Sequence, residues 1–70
     1  MSDTTHRRGQ RPSPEIREYV RLLIEQHGPR RAAKRLGIAR DAAISIVADL
    51  SVLPGTLALV REAQRADLRS

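Results

Sequence analysis

The sequence predicts an all-α protein, a compact domain of four helices with two short helices joined by a tight turn at its centre. Apolar residues recur at the three- and four-residue spacing of amphipathic helices, and proline and glycine divide the chain into segments of helical length. With 70 residues, no Trp or Phe and one Tyr, the core must consist of Leu, Ile, Val and Ala. A chain of this size buries only about 60% of its unfolded surface, so a second copy would help to stabilise it and we expect a homodimer.

The first helix is predicted over residues 14–27. Ser13 is a capping residue, Pro14 suits the first helical position and Glu15 favours the positive end of the helix dipole. Gly28 ends the helix. The inward face of this first helix is expected to contain Ile16, Tyr19, Val20, Leu23 and Ile24.

The central pair is predicted over residues 29–36 and 40–50. Gly37 stops the first of these helices, because glycine takes the left-handed conformation without a Cβ penalty. Ile38 is expected to be the apolar residue of the turn that packs against the core. The expected inward residues are Ala32, Ala33 and Leu36 on the first helix and Ala43, Ile46, Val47 and Leu50 on the second.

A final helix is predicted over residues 56–67, with Thr56 as its cap and Leu57 and Val60 closing the core. A neighbouring apolar stripe could remain uncovered, and exposed apolar surface often marks a partner site. The candidate two-fold dimer contacts are Leu53, Leu59 and Ala63. The alternative is that these residues are simply buried in the core.

The central pair resembles the helix-turn-helix of phage repressors and related small bacterial regulators. Ala33 is small where two steeply crossing helices come close, Gly37 lies four positions on at the turn, and Ala43 and Ile46 pin the second helix. The resemblance spans about residues 16–64. Ala39 departs from it, since the family usually has a capping Ser or Thr there, and Ala43 replaces a larger aliphatic residue.

The resemblance implies that the outward face of the second helix enters the major groove of double-stranded DNA. The residues expected to contact bases are Ala39, Arg40, Asp41, Ile44 and Ser45. Arg40 could hold a guanine and Ile44 a thymine methyl; alternatively, the helix phase is shifted and Ile44 belongs to the core. Asp41 could accept from a cytosine amino group, orient Arg40, or offset the helix dipole.

The positive charge is concentrated beside the turn. Residues 29–40 carry +5, equal to the net charge of the whole chain, while the other segments cancel. Such a cluster can be a solvated surface, but its position favours nucleic acid. The residues expected to contact phosphates are Arg30, Arg31, Lys34 and Arg35.

Residues 1–12 are predicted to form a disordered basic arm ahead of the domain at 13–70, since they lack apolar periodicity. Arg7, Arg8 and Arg11 could follow a phosphate backbone or enter a minor groove. The alternative is an ordinary frayed terminus.

Other chemistries find little support in the sequence. There is no Cys, and His6 and His27 are far apart without nearby ligands, so we expect no metal, no cofactor and no enzymatic activity. No apolar run approaches the ~18 residues of a membrane span, and no signal peptide is apparent. We expect a cytoplasmic protein.

Three functions fit these expectations. The first is a sequence-specific transcriptional regulator, acting as an autoregulatory repressor of the phage, plasmid or mobile-element type. The second is an architectural or excisionase-like DNA-binding factor. The third is a helical protein-interaction module such as an antitoxin or adaptor, whose basic surface meets an acidic protein.

Overall fold

The computed structural model describes residues 9–69, which form an all-α domain of four helices and no strand. The fold class and the number of helices predicted from the sequence are confirmed. The helices are α1 (Pro14–His27), α2 (Pro29–Leu36), α3 (Arg40–Val47) and α4 (Pro54–Arg69). None of them is long and apolar enough to cross a membrane, a finding that covers residues 9–69 only.

One apolar core joins the four helices, and α1 is at its centre because it contacts each of the other three. α2 also packs against α3 and α4. The predicted inward faces of α1, α2 and α4 are confirmed, and Val52 adds a core residue from the loop before α4. The buried apolar residues are Ile16, Val20, Leu23, Ala32, Ala33, Leu36, Ala43, Ile46, Val52, Leu57 and Val60.

The ends of α1 follow from local chemistry. The Ser13 hydroxyl accepts a hydrogen bond from the Ile16 amide at 3.3 Å, which satisfies one of the free amides of the first turn. At the other end, Gly28 has a φ of 89° and its amide donates to the Ile24 carbonyl at 2.7 Å. This one glycine separates α1 from α2.

The turn between α2 and α3 is a Schellman motif. Gly37 takes the left-handed conformation with a φ of 73°. Its amide donates to the Lys34 carbonyl at 3.2 Å, and the Ile38 amide donates to the Ala33 carbonyl at 3.1 Å. Ile38 packs against the core as predicted.

α3 is three residues shorter than predicted, because it ends at Val47 instead of Leu50. A second Schellman motif ends it, with Asp49 in the left-handed region at a φ of 63°. This turn carries Leu50 away from the inward stripe of α3, and its side chain is 56% exposed. The prediction that Leu50 faces the core is therefore wrong.

α4 starts two residues earlier and ends two residues later than predicted. Pro54 takes the first helical position, as Pro14 and Pro29 do in α1 and α2. The Leu53 carbonyl accepts from the amides of Thr56 and Leu57. Thr56 therefore lies inside the helix and is not its cap.

Candidate nucleic-acid interface

Four cationic side chains project from α2 into solvent. The inward face of this helix is apolar and buried, and the helix contains no acidic residue. Within residues 9–69, none of the four lies within ion-pair distance of a carboxylate. The exposed cations are Arg30, Arg31, Lys34 and Arg35. α2 thus presents a strongly positive surface that is available for an anionic partner.

The four cations form two stripes along α2. Arg30 and Lys34 are four residues apart and share one side of the helix, while Arg31 and Arg35 share the other. Arg35 lines a shallow groove beside Tyr19 and Asp67. Its charge lies close enough to Tyr19 to oppose slightly the rise in the pKa of that phenol. Arg35 is therefore the cation of the four that faces the α1–α4 side of the domain.

The outward phase predicted for α3 is correct. Ala43 and Ile46 are buried, whereas Ala39, Arg40 and Asp41 are exposed. Ile44 is 45% exposed, so the alternative that it belongs to the core is excluded. Ser45 is half-buried at the edge of this face. An isoleucine in the middle of an exposed face, one turn from an arginine, leaves an apolar group available for contact.

Asp41 lies against Arg40. The Arg40 Nη2 and the Asp41 Oδ1 are 3.7 Å apart, and the side chains are 56% and 90% exposed. An ion pair this exposed contributes about 0–1 kcal/mol at most. The contact places the carboxylate beside the guanidinium at the N-terminus of α3. Of the roles considered for Asp41, this contact supports the orienting one.

The N-terminus of α3 has free hydrogen-bond donors. Ala39 occupies the capping position with extended backbone, and its side chain cannot accept a hydrogen bond. The first amides of a helix lack intrahelical partners, and together with the helix dipole they favour an anion. Three residues separate this end of α3 from the last turn of α2. The free amides therefore follow directly on the cationic helix.

Within residues 9–12, the segment before α1 makes a backbone contact with the domain that the sequence did not predict. Gln10 forms an antiparallel bridge with Val52, through backbone hydrogen bonds of 2.8 and 2.9 Å. A Cβ on Gly9 would lie 3.0 Å from the Ser51 Cβ, so the backbones approach closely. A single bridge between two irregular segments has no periodic pattern that could reveal it. Arg11 is exposed, while Arg7 and Arg8 lie outside the described residues.

The three predicted dimer contacts differ in exposure. Leu53 and Leu59 are exposed, but Ala63 is partly buried and packs against the core. Three further leucines are exposed and were not predicted as contacts: Leu22, Leu50 and Leu68. Apolar surface therefore lies on the α1–α4 side of the domain as well as around Leu53 and Leu59.

The strongest electrostatic effects lie on α1. The Tyr19 hydroxyl donates to the Asp67 carboxylate at 2.5 Å, and burial followed by this hydrogen bond raises the pKa of Tyr19 to about 12. Arg21 pairs with Glu18 and Glu25, and its hydrogen bond lowers the pKa of Glu18. Over residues 9–69, no cluster of His, Asp or Glu could hold a metal ion.

Comparisons of the chain with protein-family models, with curated proteins and with solved structures found no match.

Proposed function

We propose that the chain is a sequence-specific, double-stranded DNA-binding transcriptional regulator that represses by occupying a promoter. The observation that carries this proposal is the junction of α2 and α3. An exposed cationic helix without acidic residues is joined, through a three-residue turn, to a helix whose outward face combines Arg40, Ile44 and Ser45. Phosphate contacts give affinity and position, and contacts to base edges give choice of site.

In this proposal α3 lies in the major groove with its N-terminal residues nearest the bases. Arg40, oriented by Asp41, donates to the O6 and N7 acceptors of a guanine. Ile44, on the same exposed face, packs against a thymine methyl group. The free amides at the N-terminus of α3 and the side chains of Arg30 and Lys34 hold phosphates on either side.

The regulator would act as a cytoplasmic homodimer on an inverted repeat, without a cofactor and without catalysis. In this proposal the concentration of the regulator itself sets its occupancy of the site, as in autoregulation. Arg11 would add a phosphate contact from the segment bridged to Val52.

The first experiment is selection from a random duplex library at about 150 mM salt, followed by sequencing of the retained DNA. We expect a palindromic motif with half-sites about one helical turn apart. Retention without a motif would replace this proposal by an architectural role. Absence of retention would contradict DNA binding altogether and would make the basic surface a site for an acidic protein.

Two substitutions separate base reading from phosphate contact. Arg40→Ala should relax the preference for one base pair and cost about 1–3 kcal/mol on the selected site. Lys34→Ala should weaken binding to all sequences alike and flatten the dependence of log K on log salt by about 1. Arg69→Ala, at the exposed end of α4, is the matched control and should change neither quantity. If Arg40→Ala and Lys34→Ala behave alike, Arg40 does not read bases.

A further inference from the structure

A groove runs between α1 and the C-terminal half of α4, on residues that the proposed DNA contacts do not use. Its larger section has a volume of about 580 Å³, and an adjoining section of about 330 Å³ extends it toward the start of α1. Glu15, Gln64 and Leu68 line both sections, so the two form one continuous groove.

The larger section of the groove is mainly apolar and open to solvent. Leu22 of α1 is 42% exposed, and Leu68 of α4 is 81% exposed. Between them, Tyr19 lines the groove and donates its hydrogen bond to Asp67, which ties α4 to α1. This tie holds the two walls in place while the leucines remain uncovered.

The two walls carry opposite charges. Glu15 and Glu18 form an acidic wall on α1, and Arg61 and Arg65 form a basic wall on α4. In the part of the chain that the structure describes, Glu15 and both of these arginines form no ion pair. Glu15, Arg61 and Arg65 are therefore charges beside the groove that the described residues leave unpaired, whereas Glu18 is already paired with Arg21.

We propose that this groove is the surface on which a second copy of the chain docks. A two-fold axis along the groove places the α1 wall of one copy over the α4 wall of the other, twice, so that Glu15, which lines the same section as Arg61 and Arg65, meets these arginines in both directions. Two-fold interfaces have this reciprocal pattern. The leucines of both grooves then pack together at the centre, where burial of apolar area gives affinity.

The surface at Leu53 and Leu59 is the competing candidate. These leucines are exposed, but they line neither section of the groove. This groove is also the interface that we assign to the homodimer of the proposed function, and in that respect the inference rests on that function. It is tested without DNA, so that its failure and the failure of the proposed DNA binding are separate results.

The first test measures the dimer dissociation constant of the full chain by sedimentation equilibrium. Leu22→Ser and Leu68→Ser should each raise this constant about tenfold or more, because two-fold symmetry removes every side chain twice. Leu53→Ser and Leu59→Ser are the matched controls and should leave it unchanged. A monomer at all concentrations, or a dimer weakened only by the controls, would overturn the proposal. Circular dichroism of each variant checks that these exposed substitutions leave the fold intact.

The second test uses charge reversal in two separate chains. Glu15→Arg alone and Arg65→Glu alone should each weaken self-association about tenfold, since each places like charges across the interface. Mixing the two variants should restore association as a heterodimer, because the new arginine of one chain meets the new glutamate of the other. A mixture that associates no better than either variant alone would contradict the arrangement, and a partner protein would then be the occupant to seek.

Discussion

The turns that end α2 and α3 have the same backbone and different sequences. In each turn, the residue after the left-handed one donates its amide to the carbonyl five residues earlier. The distance is 3.1 Å from Ile38 to Ala33 and 2.9 Å from Leu50 to Ser45. The residue in the left-handed conformation is Gly37 in the first turn and Asp49 in the second. The hydrogen bonds set the backbone geometry of both turns. The residue types set the free-energy cost of that geometry and determine which side chains are buried.

The apolar residue after each turn shows the difference. In a Schellman motif this residue packs against the side chain near the end of the helix to whose carbonyl its amide donates. For Ile38 that residue is Ala33, which is buried, and Ile38 packs against the core. For Leu50 it is Ser45, a polar residue at the edge of α3, and Leu50 is exposed. The same turn thus ends one helix inside the core and the other at its surface.

The largest expected effect separates these two apolar residues. Ile38→Ala should lower the free energy of unfolding by about 1–3 kcal/mol, less than for a fully buried isoleucine because Ile38 is only partly buried. Leu50→Ala should change it by less than about 0.5 kcal/mol, as for an exposed position. Urea unfolding followed by circular dichroism measures both. Equal losses in the two variants would mean that the turns pack alike.

The next effect concerns the left-handed residue of the first turn. Gly37→Ala should destabilise the domain by about 1–2 kcal/mol through backbone strain alone, because a Cβ there meets no atom within 4 Å. Gly55 is the matched control: its added Cβ is equally unobstructed, its φ is not positive, and it lies in α4. Gly55→Ala should be neutral or stabilising by up to about 1 kcal/mol. Gly37→Ala should therefore lower the urea midpoint, and Gly55→Ala should leave it unchanged or raise it.

The second turn already carries a side chain in the left-handed region, and a paired substitution measures its strain. Asp49→Ala and Asp49→Gly both remove the ion pair between the Asp49 Oδ1 and the Arg17 Nε, which are 3.7 Å apart. The alanine variant should be less stable than the glycine variant by about 1 kcal/mol, since only alanine retains a Cβ without a polar group. Thermal unfolding of the two variants gives this difference directly. Equal stabilities would show that the turn relaxes when Asp49 is replaced.

The two turns also show where prediction from the sequence succeeded and where it failed. Gly37 was predicted as a helix end because glycine is the common left-handed residue. Asp49 was placed inside α3, since aspartate takes this conformation only occasionally and nothing local marks it. Because the predicted helix continued past Asp49, Leu50 was also predicted to face the core. Asp49 forms an ion pair with Arg17, which lies 32 positions earlier in the chain, and such a contact is not visible in a local pattern.

The candidate interface divides in a similar way. The exposure of Arg40 and Ile44 follows from helical periodicity once Ala43 and Ile46 set the phase of α3. The exposure of Arg30 and Lys34 follows in the same way from the inward residues of α2. The position of Arg35 beside Asp67 and the bridge from Gln10 to Val52 depend on tertiary packing, and no spacing along the chain encodes them. The groove between α1 and α4 was missed for the same reason, because its walls are far apart in sequence.

The smallest expected effect isolates the ion pair of the second turn. Asp49→Asn keeps a side chain that tolerates the left-handed conformation and removes the charge facing Arg17. Because the two side chains are 37% and 44% exposed, the loss should be about 0.5 kcal/mol or less at low salt, and it should shrink as salt screens the pair. Urea unfolding of the wild-type and Asn chains at low and high salt measures this difference. A loss as large as that of Asp49→Ala would mean that charge, and not backbone conformation, selects aspartate at this turn. If the loss vanishes at high salt, Asn and Asp support the left-handed conformation of this turn equally well. Backbone conformation, and not charge, then selects the residue at position 49, as it does at Gly37.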